Sequence, residues 1–499
     1  MNIKSVKLFI MSVLTASLLF SQTAFSKELA EPSGETENGG YLESMMKMIN
    51  EEYKGDITDE KLMEGALKGM FATMDPYTEF YTPDEAESFF NSINGSYEGI
   101  GLTIDKENNN VVVKGVFPGS PAERAGIAVE DRIAEIDGKS VGEMTVEDVS
   151  GIMKGAEGTK VTLGIVAADG TEIRKLEIKR EKITVNPVSY KINGDIGYIR
   201  IDIFNMNMDE YLTKALAEID KKNIKEIILD LRDNPGGEAS QAVEAARKFV
   251  PEGLITKLDF KSENKADVEY YSYLKEKKYE VAVLVNNNSA SASEILAGAI
   301  QDTGSGTLVG TRTFGKAKVQ SLIPLLTPKT YEKYKSQLGI DVVDAAEMGS
   351  KYNIIPKDDE LIGWTKITTG IYTTPKGRMI DTVGIAPDIY VENTKEINDV
   401  KLDSVKKLGK KLKPALNSKD PEVEDAEKIL KICGYDVGTP DNEFDNKTFE
   451  AVKKFQKDKG MFPYGVLDFT TQQALNEGLD KLLSEADKQY LKAVEILQE

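Results

Sequence analysis

Three patterns predict an α+β multidomain fold. Strand signals alternate with helical ones from residue 190 to about 395, short strands separated by turns fill 97–183, and helical periodicity marks both flanks. The chain has 499 residues, of which 40% are hydrophobic; this suits a soluble globular protein of several domains.

Residues 1–26 have the layout of a secretory signal. Lys4 and Lys7 occur without an acid, an uncharged run of 13 residues follows over 8–20, and Ala24-Phe25-Ser26 sets small residues at −3 and −1 of a cut before Lys27. The run is short for a membrane span; an uncleaved anchor is the alternative, and both readings export the chain. A Gly/Glu/Asn-rich linker occupies 27–40. In the helical segment 41–96, Leu42, Met45, Met46 and Ile49 form an apolar face, and Asp59 starts a second helix through Leu62, Ala66 and Met70. Such a Met-rich stripe packs within one monomer or between two, so a homodimer stays open.

The next region, 97–183, carries a β-branched run at 111–116, the turn Pro118-Gly119-Ser120-Pro121, a strand at 133–136 before Asp137-Gly138, and one helix over 145–154. Within 184–395, strands at 227–231, 281–285 and 307–309 alternate with helices after Gly237 and Ser293. The Lys/Asp-rich tract 396–420 reads as a tether. A helical module over 421–499 ends the chain, and its last helix, apolar-periodic over 482–497, packs or self-associates.

Composition restricts the chemistry. With 63 Lys and Arg against 83 Asp and Glu the net charge is −20, which argues against nucleic acid as a partner, because phosphate contacts need clustered bases. Histidine is absent, which excludes a Ser-His-Asp triad, a Cys-His pair and an HExxH zinc site. Cys433 is the single cysteine, so neither an intrachain disulfide nor a multi-Cys metal site can form, and no metal or cofactor is expected.

Three loops carry the remaining chemistry. Asn288-Ser289-Ala290-Ser291-Ala292-Ser293-Glu294 lies between a strand and a helix start, where a hydroxyl would meet free backbone N–H groups. An N-cap with Glu294 in the first turn explains Ser293 but not the Ser-Ala alternation, and any of the three serines could be the functional one. Gly310-Thr311-Arg312-Thr313-Phe314-Gly315-Lys316 mimics a phosphate loop, but Ala317 replaces the metal-binding hydroxyl and a strand follows where a helix is needed. Without histidine, the base available to a serine is a neutral lysine, and Lys316 needs burial, and no adjacent carboxylate, to lose its proton near neutral pH. Gln320 could orient that amine without restoring its charge. The turn Asp230-Leu231-Arg232-Asp233-Asn234-Pro235-Gly236-Gly237 exposes backbone donors of the kind an oxyanion hole requires.

In this order, LDLR-x-NPGG, SASASE and FGK-x-x-x-Q resemble the carboxyl-terminal processing peptidases, or tail-specific proteases, which are serine peptidases with a Ser-Lys dyad. The resemblance implies Ser291 as nucleophile, Lys316 as base, Gln320 steadying the lysine, and an oxyanion hole from Gly236, Gly237 and Ala292. It implies a β-β-α layered protease core of crotonase/Clp-like kind over 184–395, with an insertion at about 326–366 that either lids the site or makes a surface excursion. Residues 62–75, followed by Pro76, are similar to the family's N-terminal helical segment; the His common after that Asp-Pro is Tyr77, at a position taken as non-catalytic. Residues 97–183 resemble a PDZ domain. Gly99, Ile100, Gly101 and Leu102 stand in its carboxylate-binding loop, and Val149 and Met153 in its side-chain pocket. Residues 421–478 resemble a three-helix peptidoglycan-binding domain, with a protein-interaction module as the alternative. The implied function is an exported, PDZ-gated serine endopeptidase that cleaves protein or peptide substrates near a free C-terminus, in the cell envelope with peptidoglycan as a further partner. The rival readings are a non-catalytic adaptor binding peptide tails and wall, and an acyl-transfer or hydratase enzyme on a related fold.

Overall fold

Residues 37–107, 110–168, 170–263, 265–410 and 412–499 are described in the computed structural model. The export signal expected over 1–26 and the linker up to residue 36 lie outside these residues. The chain divides into two units, one ending at Gly69 and the other beginning at Met70. The first holds helix α1 (Glu37–Glu52) and most of α2 (Asp59–Ala72). Since α1 starts at Glu37, the last residues assigned to the linker are helical. The hydroxyl of Thr58 accepts the Lys61 N–H at 3.2 Å ahead of α2, while Asp59 and Glu60 fill the first turn and complement the helix dipole.

The second unit opens with strand β1 (Glu79–Tyr81) and helix α3 (Pro83–Ile93). A capping box of Thr82 and Glu85, with proline in the first turn, fixes the start of α3. A six-stranded antiparallel sheet follows, in spatial order β2 (Leu102–Glu107), β3 (Asn110–Val116), β4 (Arg132–Ile136), β5 (Lys160–Val166) and β6 (Ile173–Lys179), with the two-residue strand Lys139–Ser140 paired to β4 and helix α4 (Val146–Met153) between β4 and β5. Their core is built from Val111, Val113, Ile133, Val161, Leu163 and Ile165, and β2 is an end strand with one edge unpaired in this sheet.

The layered core follows. Its first strands and helices are β7 (Val188–Asn193), β8 (Ile196–Ile201), α5 (Met208–Asp220), β9 (Glu226–Asp230) and α6 (Ala239–Phe249). Then come β10 (Gly253–Phe260), β11 (Val268–Ser272), β12 (Glu280–Val285), α7 (Ala292–Thr303), β13 (Thr307–Gly310) and β14 (Lys318–Leu326). Helices α8 (Pro328–Leu338) and α9 (Ala345–Tyr352) precede β15 (Leu361–Thr373) and β16 (Ile389–Tyr390). One sheet has the order β7-β8-β9-β12-β13-β16, parallel except for its first pair; the other joins β1-β15-β10-β11, with β14 along β15, all antiparallel. The strands of the first sheet read as continuous apolar runs because both faces are covered. Ile199, Ile227, Leu229, Val281, Val283 and Val285 face α5, α6 and α7.

The alternate residues Ile196, Ile228, Ala282, Leu284 and Val309 meet the terminal helix. Helices α10 (Pro421–Ile432), α11 (Asn446–Asp458) and α12 (Phe469–Ala486) form the module, but α13 (Lys488–Gln498) leaves it to lie on the core sheet through Ala493, Tyr490 and Val494. The last helix therefore packs within the chain. The tract 396–420 is no tether either: Val400 and Leu408 are buried in the module's core, and Leu408 exchanges hydrogen bonds of 2.8 and 2.9 Å with the Asn476 side chain. The insertion makes its own small core from Leu326, Tyr334, Ile340, Ala345 and Met348. It begins beyond the far end of the nine-residue β14, roughly 26 Å along the strand from its start. Among the described residues no helix is long and apolar enough to cross a membrane.

Candidate active site

The three loops singled out by sequence follow the carboxyl ends of the adjacent parallel strands β9, β12 and β13, the edge at which open α/β sheets bind ligands. The structure separates the three serines. Ser289 donates to the Leu231 carbonyl at 2.7 Å and Ser293 to that of Asn234 at 3.0 Å, both wholly buried. Ser291 stands at the N-cap of α7 with φ 56° and ψ −115°, and its hydroxyl makes no cap hydrogen bond. A non-glycine residue held there costs of order 1–3 kcal/mol and persists because neighbours fix it.

Those neighbours are Glu294 and Tyr372. Glu294 is fully buried; one carboxylate oxygen accepts the N–H groups of both Ser291 and Lys316 at 2.9 Å, the other the N–H of Gly315 at 2.8 Å and the Thr313 hydroxyl at 2.5 Å. The Tyr372 hydroxyl lies 2.9 Å from the Ser291 carbonyl and 2.8 Å from that of Lys316, and shares its proton between them. Burial first, then Glu294 and Asp381, keeps the phenol from ionising, so it remains a donor. One carboxylate and one phenol thus tie the backbone of Ser291 to that of Lys316. Sequence reading saw Glu294 only as a first-turn residue and missed Tyr372 entirely.

The Lys316 amine has no hydrogen-bond or ion-pair partner among the described residues; it sits 4.4 Å from the centroid of the Tyr77 ring. Tyr77, taken as outside the site, therefore touches its central cation. Burial lowers the Lys316 pKa from its ordinary value, Lys366 lowers it further, and Asp75 and Glu79 pull it back. The surroundings thus hold carboxylates, contrary to the sequence expectation, but both are engaged elsewhere: Asp75 lies 3.9 Å from the Lys318 amine and Glu79 3.5 Å from that of Lys366. Gln320 donates to the Thr368 hydroxyl at 3.2 Å and does not reach Lys316. No hydrogen bond joins the Ser291 hydroxyl to the Lys316 amine.

Of the three expected oxyanion donors, Gly236 is already engaged, giving its N–H to the Asn234 side chain at 2.9 Å. It serves by being small, since a Cβ there would lie 2.7 Å from the Ala290 carbonyl oxygen and 2.8 Å from the Ser291 Cβ. Among the described residues the N–H groups of Gly237 and Ala292 meet no protein acceptor.

In the domain of β2 to β6 the buried N–H groups of Ile100 and Gly101 likewise have no acceptor among the described residues, while their carbonyls hold Ala122 and Phe117 at 2.9 and 3.0 Å. A cleft of about 830 Å³ opens beside them, lined by Leu102 and by Val146, Ser150 and Met153 of α4. Val149, expected in the pocket, is buried without exposure in the core beneath the sheet, and Gly99 closes the preceding strand Ser96–Gly99 instead of lining the cleft.

Comparison with known proteins agrees with this architecture. Residues 195–391 match peptidase family S41, 112–176 a PDZ domain, 419–475 a peptidoglycan binding domain, and 7–85 the N-terminal domain of the activating protease CtpB. The chain is 32% identical over 508 residues to the carboxy-terminal processing protease CtpA of Bacillus subtilis (strain 168), covering 99% of each. It is 30% identical over 462 residues to a "Probable CtpA-like serine protease" of Staphylococcus aureus (strain bovine RF122 / ET3-1), covering 92% of this chain and 84% of that one. Among solved structures, the photosystem II D1 C-terminal processing protease is 26% identical, with a TM-score of 0.39, over 71% of this chain and 88% of that one. The chain belongs to the carboxyl-terminal processing protease family of S41 serine peptidases. That membership sets aside the non-catalytic adaptor and the hydratase.

Proposed function

We propose that the chain is an exported endopeptidase that cleaves protein substrates near their C-termini, with Ser291 as nucleophile and Lys316 as general base. The observation that carries this reading is a free hydroxyl on a strained helix start and a half-buried amine without a partner, with both backbones held by Glu294 and Tyr372. Neutral Lys316 takes the Ser291 proton as the oxygen attacks the scissile carbonyl, and the N–H groups of Gly237 and Ala292 receive the oxyanion. The ammonium then protonates the leaving amine; water hydrolyses the acyl-enzyme by the same transfers in reverse.

Serine and lysine are not hydrogen-bonded here, so the arrangement corresponds to a resting state with the amine on Tyr77. A single stretch of chain connects that ring, through β1 and α3, to the PDZ cleft. In this reading a bound tail moves the stretch, frees the amine for Ser291 and brings Gln320 to its side. The terminal module holds the enzyme on peptidoglycan. The test is labelling with a fluorophosphonate probe. Labelling is expected to rise when a tail peptide is added and to vanish in Ser291→Ala and Lys316→Ala, with circular dichroism unchanged. Full labelling of Lys316→Ala would refute the dyad, and labelling indifferent to the peptide would refute the gate.

A further inference from the structure

The PDZ domain does not bound its cleft alone. The facing wall is α3, which presents Asp84, Glu87, Ser88 and Asn91 to it. Their spacing is i, i+3, i+4, i+7, one stripe of a helix. The other side of α3 is fixed to the protein: Ala86 is buried, and the Phe90 ring meets Trp364 edge-on at 4.8 Å. The polar stripe is therefore held towards the cleft by packing on the opposite face. Asp84 and Glu87 are exposed and form no ion pair or hydrogen bond among the described residues beyond the backbone of their own helix. Glu98, the third acid on the cleft, is occupied by the Glu157 N–H at 3.0 Å. The cation on the lining, Lys154, sits at the end of α4, where Gly155 N–H bonds the Glu98 carbonyl at 3.3 Å close to the Ile100 loop.

The cleft is thus polarised, with unpaired amide donors and Lys154 at one place and two uncompensated carboxylates on the helix across from it. We infer that α3 is a specificity wall of the tail site, which selects substrates bearing Lys or Arg a few residues before the C-terminus. The terminal carboxylate takes the Ile100 and Gly101 N–H groups, the tail extends along the free edge of β2, and its basic side chain reaches Asp84 and Glu87. The inference rests on the PDZ reading of tail capture and adds the chemistry of the captured tail.

Fluorescence anisotropy on the full chain carrying Ser291→Ala, which prevents turnover, tests it. Three labelled peptides share one apolar C-terminus and differ upstream by Lys, Gln or Glu; a fourth is the Gln peptide with an amidated end. At low salt the expected order of affinity is Lys, Gln, Glu, with roughly three- to tenfold per step for exposed charges, narrowing at high salt. In the Asp84→Asn, Glu87→Gln double variant the three should converge while the Gln peptide keeps its affinity. Equal affinities in the parent protein, or an undiminished ranking in the double variant, would overturn the inference. An amidated peptide that binds as well as the free acid would instead overturn the PDZ reading beneath it.

Discussion

The family resemblance picked out Ser291 and Lys316 from the order and spacing of their loops, but the surroundings of these residues were not legible in the sequence. Which of three serines is free depends on where the Leu231 and Asn234 carbonyls fall, and Asn234 closes on Gly236 only once the loop has its shape. The charges near Lys316 come from two separate stretches of chain, 75–79 and Lys366, and they fix the direction of its pH response. Lys366 disfavours the ammonium and also engages Glu79, which favours it. Removing Lys366 acts in one direction through both routes: the ammonium persists to higher pH, and fewer molecules carry the neutral base. The rising limb of kcat/KM against pH should lie below the ordinary lysine value in the parent protein. In Lys366→Met it should move up. A limb that stays put, or moves down, would mean that Lys316 is not the group being titrated.

Among the elements, the strands were the most readable part, since a sheet covered on both faces writes uninterrupted apolar runs. The stretch 396–420 was misread because its Lys and Asp density hides the few apolar residues that dock, such as Val400 and Leu408. Helix α7 illustrates the same limit at the site. Its Glu294 looks like an ordinary N-terminal acid, yet it accepts four hydrogen bonds from the serine and lysine loops. Glu294→Gln replaces one acceptor oxygen by an N–H₂ group facing N–H donors, which costs about 1–3 kcal/mol for each donor left buried and unpaired. The expected result is a fall in kcat of more than about tenfold with KM little changed, because the loops that present Ser291 and Lys316 slacken while tail capture does not. Glu294→Asp should recover less than the parent, since the shorter acid cannot span both loops. A Glu294→Gln enzyme with parental kcat and a lowered melting temperature would assign the residue to stability alone.

For the whole molecule, the terminal module and the peptidase core are joined by more than a connecting segment, because α13 returns to roof the sheet whose other edge carries the site. At its start Asp487 receives the Arg232 guanidinium at 2.7 Å, and Arg232 also grips Asp230 at 2.6 Å, at the root of the loop holding Gly236 and Gly237. Burial first, then Arg232, acts on Asp487, with the net effect of holding its carboxyl below the usual range, so the contact is charged at neutral pH. A chain ended after Ala486 would keep every helix that packs in the module but bare Ile196, Ile228, Ala282, Leu284 and Val309 to water. At about 25 cal/mol per Å² of apolar surface, the loss is on the order of several kcal/mol. The truncated protein should therefore melt well below the parent and aggregate, while still sedimenting with purified peptidoglycan when kept cold. Asp487→Asn, which keeps an oxygen to cap α13 at the Tyr490 N–H but loses the charge that holds Arg232, should melt near the parent but react more slowly with the serine probe, since the loop of Gly236 and Gly237 loses an anchor. If the truncated chain melted with the parent, α13 would be an ornament of the module and the two parts would be independent. If Asp487→Asn labelled at the parental rate, the contact at Arg232 would be structural only, and the terminal module and the loop of Gly236 and Gly237 would share a scaffold without influencing each other.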